Sequence, residues 1–276
     1  MQLRLHLIDI FGKIMKAKIY YIFILVVVCL TTLVLQSCSN DKGYDLGKFY
    51  VVLATVTPLD NGEEAYYLTM DDGSTLYPVA STTNYKPKKN QRVWVNFTPL
   101  SDKLSGYDHY AKINGIRDVL TKNIVALTAD NELEIGNDPI ELLQYWVGDN
   151  YLNIHFGYNT GGEKQHSINL VENKITNQPT LSRDTITVEL RHNRNGDPEN
   201  YKAKNYVAFD LRQLQQEGTT SINLVFKIQG FNNEKKEYSI TYNYGNANKN
   251  LFDNEGLRGL SDTFSLNRNA SSDYVE

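Results

Sequence analysis

AYYLTMDDGSTLYPVA, residues 65–80, decides the fold. Two runs of aromatic and aliphatic residues flank Asp72-Gly73, and glycine there supplies the positive φ that a tight turn between antiparallel strands requires. The stretch therefore reads as a β-hairpin. Its alternation places Leu68 and Met70 on one face and Tyr67 on the other.

The segments around the hairpin have the same character. FYVVLATVT (residues 49–57) is β-branched and aromatic throughout. In RVWVNFT (residues 92–98), Val93, Val95 and Phe97 point one way and Trp94, Asn96 and Thr98 the other. YAKINGIRDVL (residues 110–120) supplies a further strand region, with Asn114-Gly115 as a bulge or bend. So many strands in about 70 residues, with no long helix between them, predict a small closed or partly closed barrel over residues 49–120.

A second strand series follows. NIVALT, the pair split by Gly148-Asp149-Asn150, HSINLVE, DTITVELRH, SINLVFKI and EYSITYNY each alternate with period two and are bounded by Asn, Gly, Pro or Asp. Short strands at this spacing predict a β-sandwich over residues 121–244. The chain is thus all-β, a five-stranded barrel followed by a sandwich. The one helical stretch expected lies in YVAFDLRQLQQEG, ended by Gly218. Residues 245–276 are rich in Asn and Ser, have no sustained period, and read as a disordered tail.

Upstream of the barrel, Lys16 and Lys18 precede the apolar run IYYIFILVVVCLTTLVLQ, which leads into Ser37-Cys38. A basic start, an apolar centre and a small residue before the cut form a secretory signal peptide. Leu35 and Ser37 before Cys38 resemble a bacterial lipobox. That resemblance implies cleavage after residue 37, lipid on Cys38, and a tether over residues 38–48. An uncleaved spanning helix is the rival, since the run approaches bilayer length, but it leaves Cys38 unexplained. Met15 gives a more ordinary signal peptide than Met1 and is the expected start. Cys29 leaves with the signal, so the mature chain can form no disulfide and must be held by its core.

Without residues 1–37 the chain carries 24 basic and 31 acidic side chains, a net charge of −7. That balance argues against nucleic acid and against electrostatic adhesion to anionic lipid. The lipid alone is expected to hold the protein at a membrane. Ser39, in place of the aspartate that signals inner-membrane retention, points to the outer membrane.

Motifs for hydrolysis or phosphate binding are missing. His109, His155, His166 and His192 are scattered over four segments, without the short spacing of paired metal ligands. His155 falls opposite Leu152, Ile154 and Phe156 and is expected in solvent. The carboxylates sit mostly in turns, Asp71-Asp72 among them, where solvent keeps them ordinary. Asp184-Thr185-Ile186 resembles an envelope-glycan attachment site. No catalytic residue, metal or cofactor is assigned. Among the 19 tyrosines and two tryptophans, Tyr67 and Trp94 stand out as outward aromatics on the barrel. They form either a binding face or, more simply, a contact with the second domain.

The lipobox, FYVVLATVTP, the Tyr-Tyr-Leu…Asp-Asp-Gly-Ser-Thr-Leu-Tyr-Pro hairpin, NQRVWVNFTPL and YAKINGIRDVLTKNI together resemble the NigD-like lipoprotein family over residues 38–244. The resemblance implies an OB-type barrel and a C-terminal β-sandwich, and supplies no catalytic residues. The family's name, taken from a bacteriocin gene cluster, implies immunity by association. The expectation is a lipid-anchored envelope protein of a Gram-negative bacterium, acting as a non-enzymatic binding module for a glycan, peptide or protein. Bacteriocin immunity and an enzyme acting on envelope glycan are the alternatives.

Overall fold

The structure, a computed structural model, describes residues 47–59, 64–102, 106–176 and 184–244. The signal peptide, Cys38 and the tail over residues 245–276 lie outside the described residues.

Strands β1 (Tyr50–Pro58), β2 (Tyr66–Met70), β3 (Thr75–Ser81), β4 (Arg92–Asp102) and β5 (His109–Asp118) close into a barrel in the order β1-β2-β3-β5-β4. The β2–β3 turn is the one expected. Gly73 has φ +81°, its N–H donates to the Met70 carbonyl at 2.9 Å, and Asp72 Oδ1 accepts from the Ser74 N–H at 2.8 Å. Val52, Ala54, Val56, Leu68, Met70, Leu76, Val93, Val95, Phe97, Ala111 and Ile113 fill the interior, so the face assigned to Val93, Val95 and Phe97 is the inner one. The β4–β5 register shifts at Asn96/Phe97. Asn114, the extra residue, pins the bulge by donating from Nδ2 to Asn96 Oδ1 at 3.1 Å and Thr98 Oγ1 at 3.0 Å.

The second half is a sandwich. One sheet is β6 (Leu120–Asn123), β12 (Tyr201–Asp210), β9 (Tyr151–Thr160) and β8 (Glu141–Gly148) in that order. The other is β14 (Lys235–Asn243), β13 (Ser221–Gln229), β11 (Thr185–Asn193), β10 (Ser167–Asn173) and β7 (Val125–Leu127). Leu152, Ile154, Phe156, Val207 and Phe209 meet Ile168, Leu170, Val188, Leu190, Leu224 and Phe226 between the layers. Leu120, read as the end of the barrel, opens β6 and pairs in parallel with Val207, so the chain changes layer at Val119. Asp149 (φ 41°) and Asn150 (φ 66°) make the tight β8–β9 turn.

The expected helical stretch after β12 is a single 3₁₀ turn, Arg212–Leu214, which buries Leu214. Two short turns were not anticipated: a helix α1 (Glu132–Ile135) closed by Gly136 at φ 69°, and a 3₁₀ turn at Phe231–Asn233. Elements of three or four residues are too short to show a helical period.

The barrel covers part of the outer face of the β6-β12-β9-β8 sheet, around Trp146 and Tyr206. This overturns the reading of His155. The side chain is only 9% exposed and stacks on Tyr206 with ring centroids 4.2 Å apart. Alternation correctly put His155 opposite Leu152, Ile154 and Phe156, but both faces of β9 are buried. Burial, with a smaller contribution from Lys204, lowers its pKa to about 4.

Candidate functional site

The barrel presents two aromatic surfaces, and they meet different fates. On β1 and β4, alternation turns Val51, Leu53 and Trp94 outward, and all three are buried with Val119 against Trp146 of β8 and Tyr206 of β12. Trp94 is 5% exposed and meets the Tyr206 ring edge-on at 5.3 Å. Of the two readings of Trp94, the structure places it in the contact with the sandwich.

A polar chain runs beside this contact. Arg92 is fully buried, donates from Nη1 to Thr55 Oγ1 at 3.0 Å, and forms an ion pair with Asp71 through Nη2. The other Asp71 oxygen accepts from Trp146 Nε1 at 2.7 Å. The Arg92 and Arg212 guanidiniums each lie 5.2 Å from the centre of the Tyr151 ring. The Tyr151 hydroxyl donates to the Asn90 carbonyl at 2.8 Å. The two hairpin tips are pressed together, since a Cβ on Gly148 would stand 2.2 Å from the Asp71 carboxyl carbon. Asp71 lies in the turn, as expected, but the turn's side-chain hydrogen bond is accepted by Asp72, which leaves the Asp71 carboxylate for Arg92 and Trp146.

Trp94 is the only tryptophan within residues 48–120. A fragment of those residues is expected to show a red-shifted tryptophan emission maximum and to bind more of an apolar dye than the intact chain. An unchanged maximum would mean that Trp94 does not depend on the sandwich for its cover.

The other aromatic surface lies on the remaining three strands and stays open. Leu68, Leu76, Ala111 and Ile113 point inward, which turns Tyr67 of β2, Tyr77 of β3 and Tyr110 of β5 outward. Tyr77 and Tyr110 are register partners in the parallel β3–β5 pair. Tyr107, just before β5, joins them. Its ring stacks on Tyr77 at 4.9 Å and contacts Tyr67 at 5.4 Å and Tyr110 at 6.1 Å. Tyr77 and Tyr110 lie 5.9 Å apart. All four are half-buried.

The neighbour of Tyr107 holds it in place. Asp108 Oδ2 accepts from the Thr75 N–H at 2.9 Å and from its hydroxyl at 2.8 Å, and the Asp108 N–H donates back to Thr75 Oγ1 at 3.1 Å. Partial burial, then the neighbouring tyrosines, raise the Tyr107 pKa. Beside Tyr77 opens a cleft of about 240 Å³ lined by Tyr66, Pro78, Val79, Ser81 and Tyr85, with Val79 52% exposed. Of this surface, sequence reasoning singled out Tyr67 alone. Tyr77 and Tyr110 obey the same alternation, but their proximity depends on the parallel β3–β5 pairing.

The scattered histidines are a further correction. His166 and His192, on adjacent strands, are buried with Nδ1 of the first 2.9 Å from Nε2 of the second. His166 Nε2 lies 3.1 Å from Asp197 Oδ2. Asp197 is also buried, and it accepts from Thr160 Oγ1 and from the backbone N–H groups of Gly161, Gly162, Glu163 and Lys164. Burial by itself would raise its pKa. Hydrogen bonds from Thr160, Gly161, His166 and Glu163 outweigh that and hold the carboxyl well below the usual range. Burial, then His166, lowers the His192 pKa to about 4. The group is a histidine pair anchored on an ionised carboxylate inside the sandwich. Among the described residues, no group of three His, Cys, Asp or Glu side chains is arranged to hold a metal ion.

Two family models match the chain. The NigD-like N-terminal OB domain covers residues 53–119 and the NigD-like C-terminal β-sandwich domain residues 123–242. Among solved structures, a toxin-related protein of Parabacteroides distasonis is 35% identical, with a TM-score of 0.62, over 78% of this chain and 99% of its own. A protein of unknown function from Bacteroides vulgatus is 25% identical, also with a TM-score of 0.62, over 76% and 99%. A NigD-like immunity protein from Bacteroides caccae, 22% identical with a TM-score of 0.56 over 72% and 99%, shares the fold. No curated protein matches the chain.

Proposed function

The chain belongs to the NigD-like family, and from that premise we propose that it is a lipid-anchored, non-enzymatic binding module of the cell envelope. One observation carries the reading. Of the barrel's two outward aromatic surfaces, one is consumed by the sandwich and the other, Tyr67, Tyr77, Tyr107 and Tyr110, remains open. A half-exposed aromatic platform on a small barrel is unfavourable to leave in water without a ligand to cover it. The linked acid–base groups His192 and Asp197 are sealed in the sandwich interior, out of reach of a substrate, which favours binding over turnover at that site.

The membrane attachment rests on Cys38 and the apolar run before it. Among the described residues, no helix is long and apolar enough to cross a membrane. Several acyl chains on Cys38 hold a protein firmly where a single one would not, and Ser39 favours the outer membrane. A narrower reading makes the ligand a peptide toxin and the role self-protection. It takes its support from the names given to the Parabacteroides and Bacteroides caccae relatives.

Cys38→Ser is expected to move the protein out of the membrane fraction or to stop its processing. A mature-length variant that stays in the membrane would overturn the anchor. Envelope extract should be retained by the immobilised wild-type protein and largely lost with Tyr77→Ser/Tyr107→Ser. Equal retention by both would overturn the platform as the binding surface.

A further inference from the structure

We propose that the tyrosine platform takes a neutral oligosaccharide, with sugar C–H faces stacked on Tyr77 and Tyr107 and with Tyr67 and Tyr110 at the flanks. This rests on the platform being the binding surface, and adds the chemical class of what it binds.

The four rings form one aromatic patch, at 4.9 Å between Tyr77 and Tyr107 and 5.4–6.1 Å between Tyr107 or Tyr77 and the others. Tyr77 and Tyr107 stack with their planes 23° apart and the other contacts are inclined by 44–80°, so the patch offers ring faces and ring edges in turn. A sugar ring lays polarised C–H groups on the negative face of an aromatic ring, and gains from such contact without a deep groove. The rings follow one another over three strands, from Tyr67 on β2 through Tyr107 and Tyr77 to Tyr110 on β5, which offers contact to successive residues of a chain.

Hydrogen-bonding capacity points the same way. Among the described residues, the hydroxyls of Tyr67, Tyr77 and Tyr107 make no hydrogen bond. Each offers one donor and an acceptor, which a polyol can match and a hydrocarbon cannot. Charge then narrows the class. The Asp108 carboxylate at the platform's edge accepts from Thr75, and Glu64 lines the adjoining cleft. The groups perturbing Tyr107 electrostatically are other tyrosines. The mature chain is acidic by seven charges, so an anionic polymer would meet net repulsion. The reciprocal Asp108–Thr75 hydrogen bonds hold Tyr107 in place before any ligand arrives, which reduces the ordering cost of binding.

The test uses the full chain in detergent, titrated calorimetrically with cellohexaose, xylohexaose, mannohexaose and chitohexaose, and with a proline oligomer and polygalacturonate as the competing classes. Binding of at least one neutral oligosaccharide is expected, with affinity falling about tenfold or more in Tyr77→Ala and Tyr107→Ala. Tyr77→Phe, which keeps the ring, should lose only a few-fold. Unchanged thermal unfolding of these variants separates loss of contact from loss of fold. Failure to bind any neutral oligosaccharide, or binding that survives Tyr77→Ala/Tyr107→Ala, overturns the proposal. If only the proline oligomer binds, and does so through the tyrosines, the platform stands as the binding surface and the saccharide class falls. If envelope retention is also indifferent to the tyrosines, both readings fall together.

Discussion

Arg92→Met is expected to lower the stability of the protein by about 3–5 kcal/mol, because it strands Asp71 as an unpaired charge at the joint between barrel and sandwich. The Arg92 side chain is fully buried and that of Asp71 is 9% exposed, so water can do little for the carboxylate that remains. Trp146 would still donate to it, but a neutral donor does not replace a guanidinium. The second substitution makes the case specific. Arg92→Met/Asp71→Leu removes both charges and should recover most of the loss, since a buried ion pair contributes little net stability over an apolar pair of similar size. Urea unfolding followed by tryptophan fluorescence reads both effects. A loss below about 1 kcal/mol in the single variant would mean that the guanidinium does not secure the joint.

Asp197→Ala should be comparably severe, at about 3–5 kcal/mol. One carboxylate satisfies four consecutive backbone N–H groups, from Gly161 to Lys164, together with Thr160 and His166. Alanine removes the acceptor that all of those donors share. Asp197→Asn, which keeps an acceptor oxygen but loses the charge, should fall between wild type and alanine. Amide exchange over residues 161–164 should rise in step with the loss. The sign of the pH effect follows from the depressed pKa. The contribution is present above the unfolded value of about 3.9 and is lost as pH falls below it, so Asp197→Ala should also flatten the acid limb of the stability curve. Native-like exchange at Gly161–Lys164 in Asp197→Ala would show that the loop holds itself.

The architecture was legible because it depends on short-range periodicity. The β2–β3 turn at Gly73, the inward Val93, Val95 and Phe97, the Asn114 bulge and the β8–β9 turn are each written in a few neighbouring residues. What could not be read was juxtaposition. His166 and His192 are far apart in the chain and become neighbours only through the β10–β11 ladder. Tyr77 meets Tyr110 through a parallel pairing that no local turn announces. His155 shows the same limit from the other side. Its face of the strand was correctly identified, but alternation says which face a residue takes and not whether that face is covered. Trp94 escaped that error, since a large aromatic turned outward in a two-domain chain already implies a partner surface.

The pairing of β6 with β12 has a consequence for the order in which the molecule is made. Leu120–Asn123 follow the barrel directly, yet they acquire a partner only when Val207–Asp210 arrive from far downstream. A ribosome delivers the barrel first, and its strands can close among themselves. Val51, Leu53 and Trp94 must then wait, uncovered, while a sheet with long-range parallel connections assembles slowly behind them. The surface that ties the two halves together in the finished protein is therefore its main aggregation hazard during biogenesis. A substitution that delays the sandwich lengthens that exposure even where it leaves the final stability unchanged.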